Sequence, residues 1–417
     1  NNSFRYLREK DHVKIYSLQY LSLFSIFLMV FYFLRIYSFG SCHFTMSERV
    51  FNFSAGPACV PLECLEEAAG EMTNWKGSGM SVIEHSHRGK WWSEENDDVN
   101  NRIRRILEVP DNFEILLVAG GASLQFSAIP FNLLGDHKKV DYVITGNWSK
   151  KAFQECQRLE FEGVEVRSVC GMPPLNPVEI PDRSKWDLSP DAAYCYICSN
   201  ETIQGIQFQT FPDVSVPLVI DMSSELFSRR ITEWNKIGLI FACAQKNFGV
   251  SGMTVVIVRK DLLERKLRPH CPVTLDYRIQ VKNKCLYNTP PTFAIYFANL
   301  IFKWIEKKGG IAKLEEINRK KAAKLYAAID QSQFFENRVK PEYRSIMNIP
   351  FFRKPDGYEV KNPDLDKQFL DLCTSKKLLT LKGHATVGGF RASIYNAMPE
   401  EGIDALISAI KEFPGFK

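Results

Sequence analysis

The sequence predicts an α/β fold built on a mainly parallel, seven-stranded sheet that helices cover on both faces. Two observations predict it: the strand-like runs are apolar throughout, and segments with helical periodicity separate them. Such runs are typical of parallel strands buried on both faces, with helices as the crossovers. A chain of 417 residues is long for one core, so we expect a second, smaller domain. The predicted strands are 115–118, 141–145, 164–169, 193–198, 217–221, 238–244 and 253–258.

The spacing of apolar residues predicts the main helices. Segment 62–75 carries apolar residues at 62, 65, 68, 69, 72 and 75, which is a helical period. A polar helix is predicted at about 93–107 and a long apolar helix at 292–307. Beyond these, further helices and a short β segment, MNIPFF, indicate an α+β domain. We therefore expect a large domain at 62–310 and a small domain made of 46–61 together with 311–417.

The first 45 residues do not share this pattern. Residues 16–34 form an apolar stretch long enough to span a bilayer or to act as a signal anchor. The globular pattern begins only after Met46. We therefore expect residues 1–45 to be a leader or extension outside the working protein, with no membrane contact by the rest. A membrane-anchored form that faces the cytosol is the alternative.

Cysteine usage and charge indicate a cytoplasmic protein that acts on small molecules. The eleven cysteines are odd in number and scattered, which indicates a reducing compartment. In the secretory path, Asn147-Trp148-Ser149 and Asn200-Glu201-Thr202 would be glycosylated, although both contain residues assigned to a site below. The pair Cys195 and Cys198 lies in a predicted strand, so we interpret it as structural and predict no metal site. The net charge of +5 comes without a Lys/Arg block, which argues against nucleic acid as a partner.

Four features stand at the ends of successive predicted strands. The small residues from Gly120 to Ser123 open a helix, where backbone N–H groups can approach an anion; a plain tight turn is the alternative. Trp148 offers a flat surface for an aromatic ligand, or merely packs at the rim. Asp221 ends an apolar strand as a counter-charge to a cationic ring nitrogen, or as a helix N-cap.

The fourth feature is Lys246, which stands in a glycine-containing turn between two apolar runs. An isolated lysine at a strand end is usually solvated. Partial burial, however, is expected to lower the pKa of such an amine and to suit it to Schiff-base chemistry. One further helix-and-strand unit is expected between Asp221 and Lys246, so that both side chains reach the same edge of the sheet. An anion cradle, a stacking aromatic ring, an acid for a ring nitrogen and a lysine amine together match the needs of pyridoxal phosphate.

Seven motifs in the chain also resemble a known family. They are FNFSAGPA, SHRG, GNWS, NETIQG, AQKN, LYNTPP and GGFRASIYNA, in this order, from about Met46 to the C-terminus. In these motifs the sequence resembles the phosphoserine aminotransferases, class V enzymes of the pyridoxal-phosphate fold type I. The resemblance implies a transaminase that works as a homodimer with active sites shared between its subunits.

The resemblance implies a role for each matched position. Lys246 binds the cofactor aldehyde covalently and later moves the substrate's Cα proton. Asp221 pairs with the ring nitrogen, Trp148 stacks on the ring and Thr202 hydrogen-bonds the ring hydroxyl. The cofactor phosphate is held by Ala122, Ser123 and Gln245, and by Asn288 and Thr289 of the neighbouring subunit.

The same resemblance implies a substrate-binding set. Arg391 is expected to clamp the α-carboxylate, a bidentate task that suits a guanidinium group. His87, Arg88 and His384 are expected to receive the substrate phosphate or the distal carboxylate of glutamate. The family usually has Gly-His-Arg where this chain has Gly383-His384-Ala385. We expect weaker binding of phosphorylated substrates than in a relative with that arginine.

The implied reaction is amino transfer from L-glutamate to 3-phosphohydroxypyruvate, which gives O-phospho-L-serine and 2-oxoglutarate in serine biosynthesis. Two alternatives stay open. One is another class V aminotransferase, of the serine– or alanine–glyoxylate type, which would not need the set His87, Arg88 and His384. The other is a non-catalytic, membrane-tethered relative that only binds the cofactor.

Overall fold

The seven strands predicted from apolar runs are present and pair in a single sheet. The computed structural model describes residues 49–174, 177–354 and 363–416. Its strands are β1 Phe51–Asn52, β2 Phe113–Ala119, β3 Lys139–Tyr142, β4 Glu165–Ser168, β5 Cys195–Cys198, β6 Asn200–Glu201, β7 Ile206–Gln207, β8 Leu218–Asp221, β9 Ile237–Cys243, β10 Met253–Arg259, β11 Phe335–Glu336, β12 Asn348–Arg353, β13 Leu378–Leu379 and β14 Phe390–Ser393. Its α-helices are α1 Leu62–Glu71, α2 Lys90–Leu107, α3 Ala122–Leu133, α4 Asn147–Arg158, α5 Tyr277–Lys282, α6 Thr292–Lys307, α7 Gly310–Gln331, α8 Pro363–Ser375 and α9 Glu400–Glu412.

The large sheet has the strand order β2-β10-β9-β8-β5-β3-β4. Strands β9, β8, β5, β3 and β4 run parallel to one another. Strand β10 runs antiparallel to both of its neighbours, β2 and β9. The prediction of a mainly parallel sheet is therefore confirmed. Six strands run in the same direction, so their carboxyl ends meet at one edge, where ligands of open α/β sheets bind.

The connections between strands differ from the prediction in one place. Between Asp221, which ends β8, and Ile237, which begins β9, the chain forms a short 3₁₀ turn at Trp234–Lys236, so the α-helix expected there is wrong. The predicted helix 292–307 is confirmed at its predicted bounds. The helix expected at 62–75 ends at Glu71, and a 3₁₀ turn follows at Trp75–Gly77.

Two hydrophobic layers enclose the large sheet. Side chains alternate across it, so that in β8 Leu218 and Ile220 join one layer and Val219 joins the other. Helices α1, α2 and α6 contribute to the first layer, and α3 and α4 to the second. This burial on both faces explains why the strands are apolar throughout.

A third hydrophobic core lies around the three-stranded sheet β11-β12-β14 and helices α7, α8 and α9. Its centre is a group of phenylalanine rings, in which Phe335 and Phe369 have centroids 4.6 Å apart. Residues Phe51–Lys417 group into one compact unit. The predicted division into domains 62–310 and 46–61 with 311–417 stays a prediction.

The apolar stretch 16–34 and the rest of the expected leader lie outside the described residues. In the part of the chain that the structure does describe, none of the helices has the length and apolar character needed to cross a membrane.

Candidate active site

A tight turn at 244–252 carries Lys246 to the carboxyl edge of the large sheet. Ala244 N donates to the Met253 carbonyl at 3.0 Å and closes the turn between β9 and β10. Gly249 is needed there because a Cβ at this position would lie 2.9 Å from Ala244 Cβ. Lys246 Nζ donates a hydrogen bond to Thr202 Oγ1 at 3.1 Å and lies 5.5 Å from the centre of the Trp148 ring.

A cavity of about 310 Å³ opens in front of this lysine. Residues from five strand ends and from the C-terminal part of the chain line it, as the parallel topology predicts. The cavity therefore brings together most of the residues singled out in the sequence. They are Ala122, Ser123, Trp148, Thr202, Asp221, Gln245, Lys246, His384 and Arg391.

Asp221 forms part of the cavity wall at the end of β8, where 3% of its surface is exposed. Its Oδ1 accepts a hydrogen bond from Ser223 N at 2.9 Å. Burial raises the pKa of the Asp221 carboxyl, while the bond from Ser223 and the positive charge of Lys246 oppose that rise. A carboxylate with so little solvation is stabilised by a cationic donor, which is what a protonated ring nitrogen provides.

The expected lowering of the Lys246 pKa is wrong. Burial does lower the pKa of this amine, but interactions with the acidic groups of Tyr395, Cys243 and Asp221 outweigh burial and raise it. The sequence showed the burial of Lys246 but not these partners, since Tyr395 belongs to a distant segment.

The N-terminus of α3 lies at one end of the cavity. Gly121, Ala122 and Ser123 line the cavity at the start of this twelve-residue helix. The first N–H groups of a helix have no partner within the helix, and its dipole favours an anion there. Gly120 fixes the loop, because its N–H donates to the Gly252 carbonyl at 3.0 Å and its carbonyl accepts from Thr254 Oγ1 at 2.9 Å.

Glu201, which the sequence analysis did not select, holds Trp148 in place. Its buried carboxylate accepts hydrogen bonds from Trp148 N and Ser149 N, both at 2.9 Å, and from Ser149 Oγ at 2.6 Å. It thereby satisfies free N–H groups in the first turn of α4. Gly146 permits this approach, since a Cβ there would lie 2.6 Å from Glu201 Cδ.

The C-terminal part of the chain adds positive charge at the cavity. Arg391 lies on β14, and its guanidinium group forms no hydrogen bond or ion pair with any residue that the structure describes. Burial lowers the pKa of Arg391, and burial together with the charge of Arg391 lowers the pKa of His384. His384 Nδ1 accepts from Thr386 N at 3.1 Å, which leaves Nε2 as the ring's donor. The arrangement suits a substrate with more than one negative charge.

Four predicted site residues do not line this cavity. Asn288 and Thr289 are exposed, and Asn288 borders a separate cavity of about 180 Å³. Arg88 is exposed, and the His87 Nε2 atom is buried without a hydrogen-bond partner among the described residues. Their assigned roles stay predictions.

Other residues of the cavity region were missed besides Glu201. Asn200 and Ser224 line the cavity and are joined by a hydrogen bond from Asn200 Nδ2 to Ser224 Oγ at 2.8 Å. Tyr395 donates its hydroxyl to the carbonyl of Ala55, another wall residue, at 2.8 Å. Asn200 and Tyr395 stand in the motifs NETIQG and GGFRASIYNA, which was the available signal.

The cavity fits pyridoxal phosphate on several independent points. The start of α3 suits a phosphate, and Asp221 provides a buried carboxylate for a ring nitrogen. The indole of Trp148 borders the cavity, and its Nε1 is buried without a partner among the described residues. Lys246 presents an amine between Asp221 and this indole. A phosphate, a cationic ring and an aldehyde each find a complementary group.

Comparison with known proteins assigns the chain to a family. The model of the aminotransferase class-V family matches residues 50–406. The chain belongs to the class-V aminotransferase family. The prediction of a PLP fold type I architecture is thereby confirmed.

Within this family, the chain is similar to several phosphoserine aminotransferases. The phosphoserine aminotransferase of Coxiella burnetii strain CbuG_Q212 is 46% identical over 366 residues, which are 88% of this chain and 98% of the relative. A solved PLP-bound phosphoserine aminotransferase from Trichomonas vaginalis is 68% identical, with a TM-score of 0.86 over 87% of this chain and all of that one. One from Bacillus circulans subsp. alkalophilus is 41% identical, with a TM-score of 0.79 over 88% and 99%. The resemblance to the phosphoserine aminotransferases is confirmed.

Proposed function

We propose that this chain transfers the amino group of L-glutamate to 3-phosphohydroxypyruvate, which gives O-phospho-L-serine and 2-oxoglutarate in serine biosynthesis. One observation carries the proposal. A single cavity joins a lysine amine and a buried carboxylate to His384 and to the Arg391 guanidinium group, which has no partner among the described residues and suits a negatively charged substrate. The names of the relatives support the same substrates.

Pyridoxal phosphate is the proposed cofactor, and it supplies an aldehyde for the amino group and a ring that stabilises negative charge on the substrate's Cα. The backbone of Ala122 and Ser123, together with Gln245, holds its phosphate. Asp221 and Trp148 hold the ring. Thr202 is placed for the ring hydroxyl.

The residues of the chain divide the remaining work. Lys246 Nζ would carry a proton from the substrate's Cα to the cofactor in the first half-reaction and from the cofactor to Cα in the second. Thr202 Oγ1, at 3.1 Å, orients that nitrogen. Arg391 binds the α-carboxylate, so the Cα–H bond is presented to Lys246. The phosphate or the distal carboxylate then lies at His384.

The active unit is proposed to be a cytoplasmic homodimer. Asn288, Thr289, His87 and Arg88 lie outside the cavity of their own chain, so they take part in binding only if a second subunit brings them there. The exposure of Asn288, Thr289 and Arg88 agrees with such sharing. The free thiols of the described cysteines support a reducing compartment.

The proposal is tested with the purified full chain loaded with pyridoxal phosphate. Phosphoserine, serine and alanine are added separately, without a keto acid, and the absorbance of the bound cofactor is followed. We expect phosphoserine to bleach the yellow band rapidly and serine or alanine to do so at least a hundredfold more slowly. The variant Lys246→Ala is the control, since it removes the reacting amine and should show no rapid bleaching.

Two results would contradict the proposal. Bleaching by serine or alanine as fast as by phosphoserine would favour an aminotransferase of the glyoxylate type. The lack of any yellow band in the unmodified protein would favour a relative without catalytic activity.

A further inference from the structure

Lys151 is a cation beside the cavity that the sequence motifs did not assign. It follows Trp148 by three residues on α4, so both side chains lie on one side of the helix. Its Nζ lies 4.6 Å from the centre of the Trp148 ring, which itself borders the cavity. The ammonium group is therefore at the cavity rim.

The ammonium group of Lys151 has no ionic partner within the described residues. Glu155 stands four residues later on the same helix, where an ion pair with Lys151 is expected. Instead, Glu155 accepts a hydrogen bond from Ser127 Oγ at 2.7 Å and contacts Arg158 at 3.7 Å. Helical side chains lean toward the N-terminus, which directs Lys151 to Trp148 and the cavity.

The charge of Lys151 also acts on a residue that lines the cavity. Its charge contributes, after burial and Arg391, to lowering the pKa of His384. Three cationic or cation-forming groups thus face one cavity rim. Next to His384, position 385 is an alanine, where a methyl group supplies no charge.

We propose that Lys151 determines specificity for phosphorylated substrates by binding their phosphate group beside His384. This role rests on the proposed function and deepens it. Lys151 provides the positive charge that Ala385 does not, from helix α4 instead of the C-terminal loop. A phosphate monoester carries close to two negative charges, so it gains more from this cation than the single distal carboxylate of glutamate does.

The test compares Lys151→Met, Lys151→Arg and Lys150→Met in the cofactor-loaded enzyme. Lys150 is exposed on the same helix, as Lys151 is, and is the matched control for charge. We expect Lys151→Met to raise KM for phosphoserine about tenfold and KM for glutamate about threefold, with kcat nearly unchanged. Lys151→Arg should stay within threefold of the unmodified enzyme, and Lys150→Met should match it.

A second readout does not depend on turnover. The Kd of inorganic phosphate, measured by quenching of tryptophan fluorescence, should rise about tenfold in Lys151→Met and stay unchanged in Lys150→Met. Adding Ala385→Arg to Lys151→Met should recover most of the affinity for phosphoserine, because it restores a cation at the same subsite.

The outcomes separate this inference from the proposed function. If the unmodified enzyme prefers phosphoserine but Lys151→Met leaves both KM and the phosphate Kd within twofold, the role of Lys151 is overturned alone. An equal loss toward phosphoserine and alanine in Lys151→Met overturns it too, since the damage is then general. If the unmodified enzyme uses serine as well as phosphoserine, both proposals are wrong.

Discussion

Two lysines of this chain, the half-buried Lys246 and the fully buried Lys321, differ in their surroundings. Lys246 stands at the end of β9, faces a cavity and has Asp221 and Tyr395 nearby. Lys321 lies inside α7, where its Nζ donates to the carbonyls of Ile394, Tyr395 and Met398 at 3.0–3.1 Å. The pKa of Lys246 is raised, whereas burial lowers that of Lys321 to about 8.

Burial alone therefore does not identify a reactive lysine. Carbonyl dipoles satisfy the hydrogen bonds of Lys321 but do not offset the loss of hydration of its charge. Lys246 has acidic partners, among them the Asp221 carboxyl, that do offset it. By pKa alone Lys321 would be the better nucleophile, yet it is 1% exposed and three backbone carbonyls occupy its Nζ. Geometry has to be considered before pKa.

Asp221→Asn is expected to have the largest effect, because it removes the carboxylate that distinguishes the surroundings of Lys246 from those of Lys321. We expect the single-turnover rate with phosphoserine to fall about a thousandfold, since the ring nitrogen then lacks its counter-charge. Asp141→Asn is the matched control. Asp141 is a fully buried carboxyl in the same sheet, bound to Ser189 N at 2.7 Å and away from the cavity. A similar loss of rate in both variants would mean that Asp221 acts only through stability.

The stability of the enzyme at alkaline pH tests the other lysine. The unfolded chain binds a proton at Lys321 up to about pH 10.5 and the folded chain only up to about pH 8, so this group makes the free energy of unfolding rise between these values. The expected gain is roughly 3 kcal/mol, at about 1.4 kcal/mol for each pH unit. Urea unfolding of the unmodified chain and of Lys321→Met, from pH 7.5 to 10.5, measures it.

As pH rises, we expect the free energy of unfolding of the unmodified chain to increase relative to that of Lys321→Met. Lys320→Met, on the exposed side of the same helix, should keep the slope of the unmodified chain. Parallel curves for the unmodified chain and Lys321→Met would show that Lys321 keeps the same proton affinity when folded.

Glu201→Gln is expected to have the smallest effect. This carboxylate supports the backbone that carries the Trp148 ring and does not contact Lys246 or Lys321. An amide places an N–H group against Trp148 N or Ser149 N, so the indole loses part of its support. We expect the Kd of pyridoxal phosphate, from absorbance titration, to rise about tenfold, with a change in the near-ultraviolet circular dichroism of Trp148. An unchanged Kd and spectrum in Glu201→Gln would rule out a positioning role.

The positions of Asp221 and Lys246 in the site were predictable from the sequence, but the pKa values of these groups were not. Asp221 and Lys246 each follow an apolar strand, and the parallel sheet brings such ends to one edge. The reversed direction of β10 was not predictable, because an apolar run carries no direction. The pKa of Lys246 depends on Tyr395, which is far along the chain, so local sequence gave the wrong sign.

Two further residues show what local patterns hide. Glu201 stands in a buried run, where a lone acid gives no sign of which backbone groups it will accept from. Lys151 carries a readable signal, its spacing of three from Trp148, but this spacing is common on solvated helix faces. Its meaning depends on what lies at the cavity rim, which only the fold shows.

The turn that holds Lys246 has a consequence for how the chain folds. Strands β9 and β10 pair directly across residues 244–252, with Cys243 opposite Thr254. The other neighbour of β10 is β2, whose Ala119 pairs with Met253 from a distant part of the sequence. Closing a short loop costs less chain entropy than joining remote segments, so this hairpin is among the contacts that form most readily. Lys246 is therefore carried by a local piece of the sheet, whereas Ser123 and Arg391 line the same cavity from segments far from it in the sequence.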